Sequence, residues 1–159
     1  TLRNWPRVTN LEAAIYGVNT WWSKVGSQAI DRSGLLVEKN FQRYRRYLAP
    51  IVVVVDESTT QAEKSLIHYI CEKTGAKTIF TTDLRDVNEK FARVRWLASS
   101  KPPVIEMLQQ GISIDHRPVA QRGDIEAARW LIEQSVAITY HRYGNPNGGP
   151  KPTCSGLSA

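Results

Sequence analysis

Five β-branched residues in a row, Ile51 to Val55, are followed at once by Asp56-Glu57-Ser58. Such a run reads as a strand buried on both faces, the condition of a parallel strand under helices. Thr59 or Thr60 can cap the next helix, and Glu63 stands three residues after Thr60, which makes a capping box. Ala62, Leu66, Ile67, Ile70 and Cys71 share one side of that helix, and Gly75 takes the place a helix C-terminus favours. Lys77 to Thr81 (KTIFT) is a second, short strand. Ile51 to Thr81 is therefore a strand-helix-strand unit, and its crossover is expected to be right-handed.

The rest of the chain is arranged around this unit. Leu11 to Lys24 is expected to be a helix with Leu11, Ala14, Ile15, Val18, Trp21 and Trp22 near one face, weakened by Gly17. The zone from Thr1 to Asn40 shows no clean strand signal and reads as a partly helical N-terminal arm. Asp86 to Ala98 reads as a helix burying Val87, Phe91, Val94 and Leu97. Val104 to Gln110 is a short helix or turn ended by Gly111. The segment ISIDHRPVA is expected to be a short edge strand, because Pro118 is unwelcome in a central one. Asp124 can cap a helix from Ile125 to Gln134, and Ser135 to Tyr140 has strand composition. Residues 144–159 hold four glycines and three prolines and are expected to form an irregular tail. The fold class expected is thus α/β: an incomplete Rossmann-like parallel sheet in one domain over residues 41–143, with an arm at 1–40 and a tail at 144–159.

Size and composition fit this. The chain has 159 residues, 42% hydrophobic and 23% charged, which suits one globular domain rather than a disordered segment. The longest apolar run falls far short of the ~20 residues of a membrane-spanning helix; a chain without spans can still dock onto a membrane complex. The first residue is Thr1, so a processed protein or an excerpt is expected.

Catalytic chemistry finds little to work with. His68, His116 and His141 lie far apart and show no ligand spacing, and Cys71 and Cys154 cannot make a four-thiolate zinc site. Cys71 falls in the patterned helix and is expected to be structural, whereas Cys154 has only Lys151 near it. No Gly-rich phosphate loop occurs. The loop Asp56-Glu57-Ser58 is acidic and lacks glycine, so the unit looks like a dinucleotide fold without its binding loop. No catalytic residue, cofactor site or metal site is therefore expected. The net charge of +6 and the basic-aromatic stretches Phe41 to Tyr47 and Arg93 to Trp96 raise nucleic-acid binding as a hypothesis. Acidic residues are spread among the basic ones and no RNP, KH or helix-turn-helix signature is present, so a protein-facing basic surface is preferred.

Two stretches carry a family resemblance. Glu38 to Asp56 reads EKNFQRYRRYLAPIVVVVD and Leu131 to Asn145 reads LIEQSVAITYHRYGN. Together they resemble the C-terminal extension of bacterial-type 1-pyrroline-5-carboxylate dehydrogenases, of the aldehyde dehydrogenase superfamily, including the aldehyde-oxidising half of bifunctional proline-utilisation enzymes. The matching residues are Asn40, Phe41, Arg43, Tyr44, Glu133, Gln134, Ser135, His141, Arg142, Tyr143, Gly144 and Asn145. The resemblance implies an incomplete nucleotide-fold domain that is not the catalytic part. Such a domain covers part of a catalytic domain and lends a strand to an oligomerisation flap. The family's catalytic cysteine motif, glutamate base and cofactor loop have no counterpart in this sequence.

The expected function is a non-catalytic structural or assembly module, an accessory subunit or domain of a larger complex whose partners are other protein chains, on the mitochondrial matrix side or in a bacterial cytoplasm. The alternative is part of an NAD-dependent aldehyde dehydrogenase of proline catabolism whose catalytic domain lies outside this chain. The interface candidates are Trp5, Trp21 and Trp22, as aromatic anchors, and Val136, Ile138, Tyr140, His141, Arg142 and Tyr143, at the last strand and its close.

Overall fold

A computed structural model of the protein describes residues 6–35 and 38–139. Its centre is a four-stranded parallel sheet of β3 (Ile51–Val54), β4 (Thr78–Thr81), β5 (Arg93–Trp96) and β6 (Ile114–Asp115), in the spatial order β4-β3-β5-β6. All four residues of β3 are buried, between parallel neighbours on either side. Helix α2 (Gln61–Thr74) joins β3 to β4 and begins with the expected capping box of Thr60 and Glu63. Gly75 ends it with φ 71°, a left-handed conformation that glycine adopts without a Cβ clash.

The sheet has an apolar layer on each face. On one face Ile51 and Val53 meet Leu66, Ile67 and Ile70 of α2, Ala14 and Val18 of α1 (Leu11–Trp21), and Ala127 of α4 (Gly123–Ala128) with Trp130 beyond it. On the other, Val52, Val54 and Val94 meet Leu84, Val87, Phe91 and Met107 of the 3-10 turn Leu84–Asp86, its following loop and α3 (Val104–Gln109). Since α1 packs into this core beside α2, residues 11–21 belong to the packed body. α1 and α4 cross closely through two glycines: a Cβ on Gly17 would lie 3.3 Å from the Gly123 nitrogen, and one on Gly123 would lie 1.9 Å from the Ala14 carbonyl oxygen. Trp22 to Gly26 continue α1 as a π-helical turn.

A second sheet is antiparallel, with the order β1-β2-β7, from β1 (Ile30–Asp31), β2 (Glu38–Arg46) and β7 (Leu131–Thr139). β2 and β7 pair over nine residues each, from Glu38 opposite Thr139 to Arg46 opposite Leu131, making a long ribbon.

Several expectations are corrected. Asp86 to Ala98 is not a helix: it holds the end of a 3-10 turn, a loop and β5. Its apolar spacing serves the sheet, with Val94 on the face toward α3 and Arg93 and Arg95 on the face toward α4, where buried carboxylates meet them. The helix expected over Ile125–Gln134 is α4, which ends at Ala128; Asp124 lies in its first turn, and the residue before the helix, Arg122, gives no side-chain cap. The last strand starts at Leu131 rather than Ser135, because residues 131–134 complete the pairing with β2. The zone expected to lack strands contains β1 and the start of β2, so the boundary expected at residue 40 falls inside a strand.

Candidate functional site

In open α/β sheets ligands bind outside the carboxyl ends of the strands, where the strand order reverses. Here that point lies between β3 and β5. A cavity of about 290 Å³ opens there, bounded by Arg7, Ser58, Glu63, Ser99, His116 and Arg117, and the polar groups around it are bonded to one another. Asp56, just after β3, accepts four hydrogen bonds: from Ser58 N at 2.9 Å and Ser58 Oγ at 2.5 Å, and from Ser99 N and Ser99 Oγ, both at 2.7 Å. The loops after the two strands are thereby tied through one carboxylate. The same bonds, Ser58's first, hold Asp56 far below the usual carboxylate range.

The N-terminus of α2 is equally engaged. The Glu63 carboxylate accepts from Thr60 N at 2.9 Å, while Thr60 Oγ1 accepts from Glu63 N at 3.3 Å. Arg7 arrives from the extended segment before α1 and donates from Nε and Nη2 to the two Glu63 oxygens at 2.6 and 2.5 Å, and from Nη2 to the Ser58 carbonyl at 2.8 Å. That segment is clamped over the sheet end by bonds from Val8 N to Val119 O and from Gln121 N to Pro6 O. Glu63 is almost fully buried, and burial alone would raise its pKa. The hydrogen bonds from Arg7 and Thr60 overrule this and lower it. Arg7 and the amides of Ser58, Thr60 and Ser99 are thus directed at carboxylates of the protein itself.

A second polar cluster lies on the α4 side of the sheet. Arg95, in a central strand and 1% exposed, donates to Glu126 Oε1 at 2.7 Å and to the Arg117 carbonyl at 2.6 Å. Glu126 also accepts from Ala120 N, Arg129 Nη1 and Trp130 Nε1. Asp115 takes a bidentate pair of bonds from Arg117 at 2.8 and 2.7 Å, with Arg95 3.5 Å away. Burial would raise its pKa, but Arg117 and the charge of Arg95 bring it far below the usual range. Such a network fixes α4 on the sheet but offers no nucleophile.

The remaining reactive types are dispersed. Burial pushes the Cys71 thiol up to about 11, which leaves it inert at neutral pH. The exposed His68 ring stacks on Phe80 with centroids 4.7 Å apart, and His116 is exposed. Among the described residues no group of three or more His, Cys, Asp or Glu is arranged to hold a metal ion.

The interface candidates fall at two places. Trp21 packs edge-on against Tyr44 of β2 at 4.9 Å and lies 6.2 Å from Trp22. Gly26 fits beneath both rings, since a Cβ there would come within 2.5 Å of Trp21 and 2.6 Å of Trp22. The two tryptophans thus join α1 to the ribbon. Val136 and Ile138 lie half-buried on one ribbon face, opposite Phe41 and Lys39. Trp5, Tyr140, His141, Arg142 and Tyr143 lie outside the described residues, as do Cys154 and the tail. Sequence reasoning missed Arg7, which precedes the α1 helix without any motif around it, and Glu126, which lies in the expected helix 125–134 with no local sign of its buried partners. The alternation Arg93-Val94-Arg95-Trp96 was the available sign of a strand with one charged face.

The class these features define is a Rossmann-like α/β domain with an appended antiparallel ribbon. No protein-family model matches the chain, and no curated protein matches it. Among solved structures, the fold is similar to part of Proline Utilization A (PutA) from Corynebacterium freiburgense, with a TM-score of 0.64 and 24% sequence identity. The match covers 86% of this chain and 14% of that one, so the chain spans a small part of PutA's length, and the likeness is one of fold. No helix among the described residues is long and apolar enough to cross a membrane.

Proposed function

We propose that this chain is a non-catalytic assembly module related to proline catabolism, of the kind that forms the C-terminal extension of 1-pyrroline-5-carboxylate dehydrogenases. The observation that carries the reading is the engagement of the switch-point groups with one another: Arg7 is paired with Glu63 and Asp56 with Ser58 and Ser99, so the charge and loop groups that would meet a nucleotide there already hold partners within the protein. The fold likeness to part of PutA supports the connection. The assembly role falls to β7. It is the end strand of its sheet, and among the described residues its outer edge has no partner strand. A strand edge of nine residues offers main-chain donors and acceptors to another chain.

Two measurements test this. Purified chain incubated with NAD and 1-pyrroline-5-carboxylate should form no NADH; turnover that Cys71→Ala abolishes would overturn the non-catalytic reading. Ile138→Pro removes one N–H from β7 and should free the chain from its host assembly in sedimentation velocity, while far-ultraviolet circular dichroism keeps the helical signal of α2. Unchanged sedimentation would refute the role of the edge.

A further inference from the structure

Where α1 passes into its π-helical turn, a pocket of about 350 Å³ opens on the surface beside the start of α4. This is the lower end of the range for small-molecule sites, about 300–1,000 Å³. Its walls come from one stripe of the helix and turn, the Tyr16, Thr20 and Trp21 side chains with Val25. Tyr16 is 74% exposed and stands as an outer wall. Gly17 lies among these residues and faces the backbone of Gly123, so that no side chain of its own fills the space between the two helices.

The rim is charged in a simple way. Arg122 and Asp124 form an ion pair with each other, Arg122 Nε donating to Asp124 Oδ1 at 2.8 Å. Lys24 is exposed and makes no ion pair among the described residues. The pocket therefore has an apolar, partly aromatic interior and one uncompensated ammonium at its mouth. An apolar ligand without charge would use the interior alone, and a cation would meet Lys24. A monoanion with an apolar body uses both.

We propose that this pocket binds a small amphipathic monoanion, a carboxylate carried on an apolar chain or ring, with the apolar part against Trp21 and Val25 and the carboxylate at Lys24. The site is independent of the assembly role, and either can fail alone. The test is titration of the intact chain with octanoate, followed by tryptophan fluorescence and isothermal calorimetry, with octanol and octylamine as matched probes. Octanoate should saturate and octylamine should not bind. Lys24→Gln, on the exposed surface, should weaken octanoate about threefold to tenfold and leave octanol unchanged. Thr20→Trp should fill the pocket and abolish binding, with circular dichroism checking its fold. The proposal is overturned if octanoate shows no saturation, if octylamine or octanol binds as tightly, or if Lys24→Gln has no effect.

Discussion

At the scale of the residue, this protein places ionised groups where a core usually holds aliphatic ones. Arg95 sits in a central strand because Glu126 and two main-chain carbonyls receive it. Removing one member of a buried pair leaves the other uncompensated, which is more costly than the pair was favourable. Glu126→Ala should therefore lower stability by about 3–5 kcal/mol in urea unfolding at neutral pH. Arg7 and Glu63 supply a pH-dependent counterpart. Glu63 is held below its ordinary value in the fold. Its contribution is therefore present above the unfolded carboxylate range, near pH 4, and is lost as pH falls through the folded value. Without Arg7, its hydrogen bond and charge no longer oppose burial, and Glu63 takes a proton more readily than in the intact protein. Arg7→Ala should cost about 1–3 kcal/mol at pH 7, where a buried carboxylate would stand unpaired, and clearly less at pH 4.5, where it can take a proton. Equal losses at the two pH values would contradict this coupling.

At the scale of the element, side-chain volume decides what can pack. α1 and α4 approach so closely that Gly123 has no room for a methyl group against the Ala14 carbonyl. Gly123→Ala should force the helices apart and cost about 1–3 kcal/mol or more, read as a fall in the thermal midpoint. Alanine at Gly34, where nothing lies within 4 Å, should cost only the strain of its positive φ. The same distinction governs what could be read in advance. β3, α2 and β4 were legible because burial on both faces, a capping box and a C-terminal glycine are local patterns. β5 was not. Its charged face is satisfied by Asp115 and Glu126, 20 and 31 residues further on, and no local window contains them. β2 was hidden in the same way: Glu38 to Arg46 is polar and basic, and it is a strand because β7 pairs with it from nearly a hundred residues away. Of the site, the acidic loop after β3 was legible, whereas Arg7 could be placed only by the fold.

At the scale of the whole molecule, two sheets of different character share one chain. The parallel sheet is covered on both faces, and its strand β3 has neighbours on either side. The ribbon of β2 and β7 has its centre in β2, so that β7 is bonded on one side only among the described residues. Amide hydrogens in an antiparallel end strand alternate, one pointing to the partner strand and the next away. Hydrogen exchange can read this difference directly. Amides of Val52, Val53 and Val54 should exchange only through global unfolding. Across residues 131–139 of the isolated chain, protection should alternate, with every second amide exchanging fast. In the assembly those fast amides should become protected, because main-chain bonds to another strand are the chemistry an open edge offers. Uniform protection across β7 in the isolated chain would mean that its outer edge is already covered by the protein itself. Alternation that persists unchanged in the assembly would mean that the partner is held elsewhere, and the interface would then have to be sought on the ribbon faces rather than along its edge.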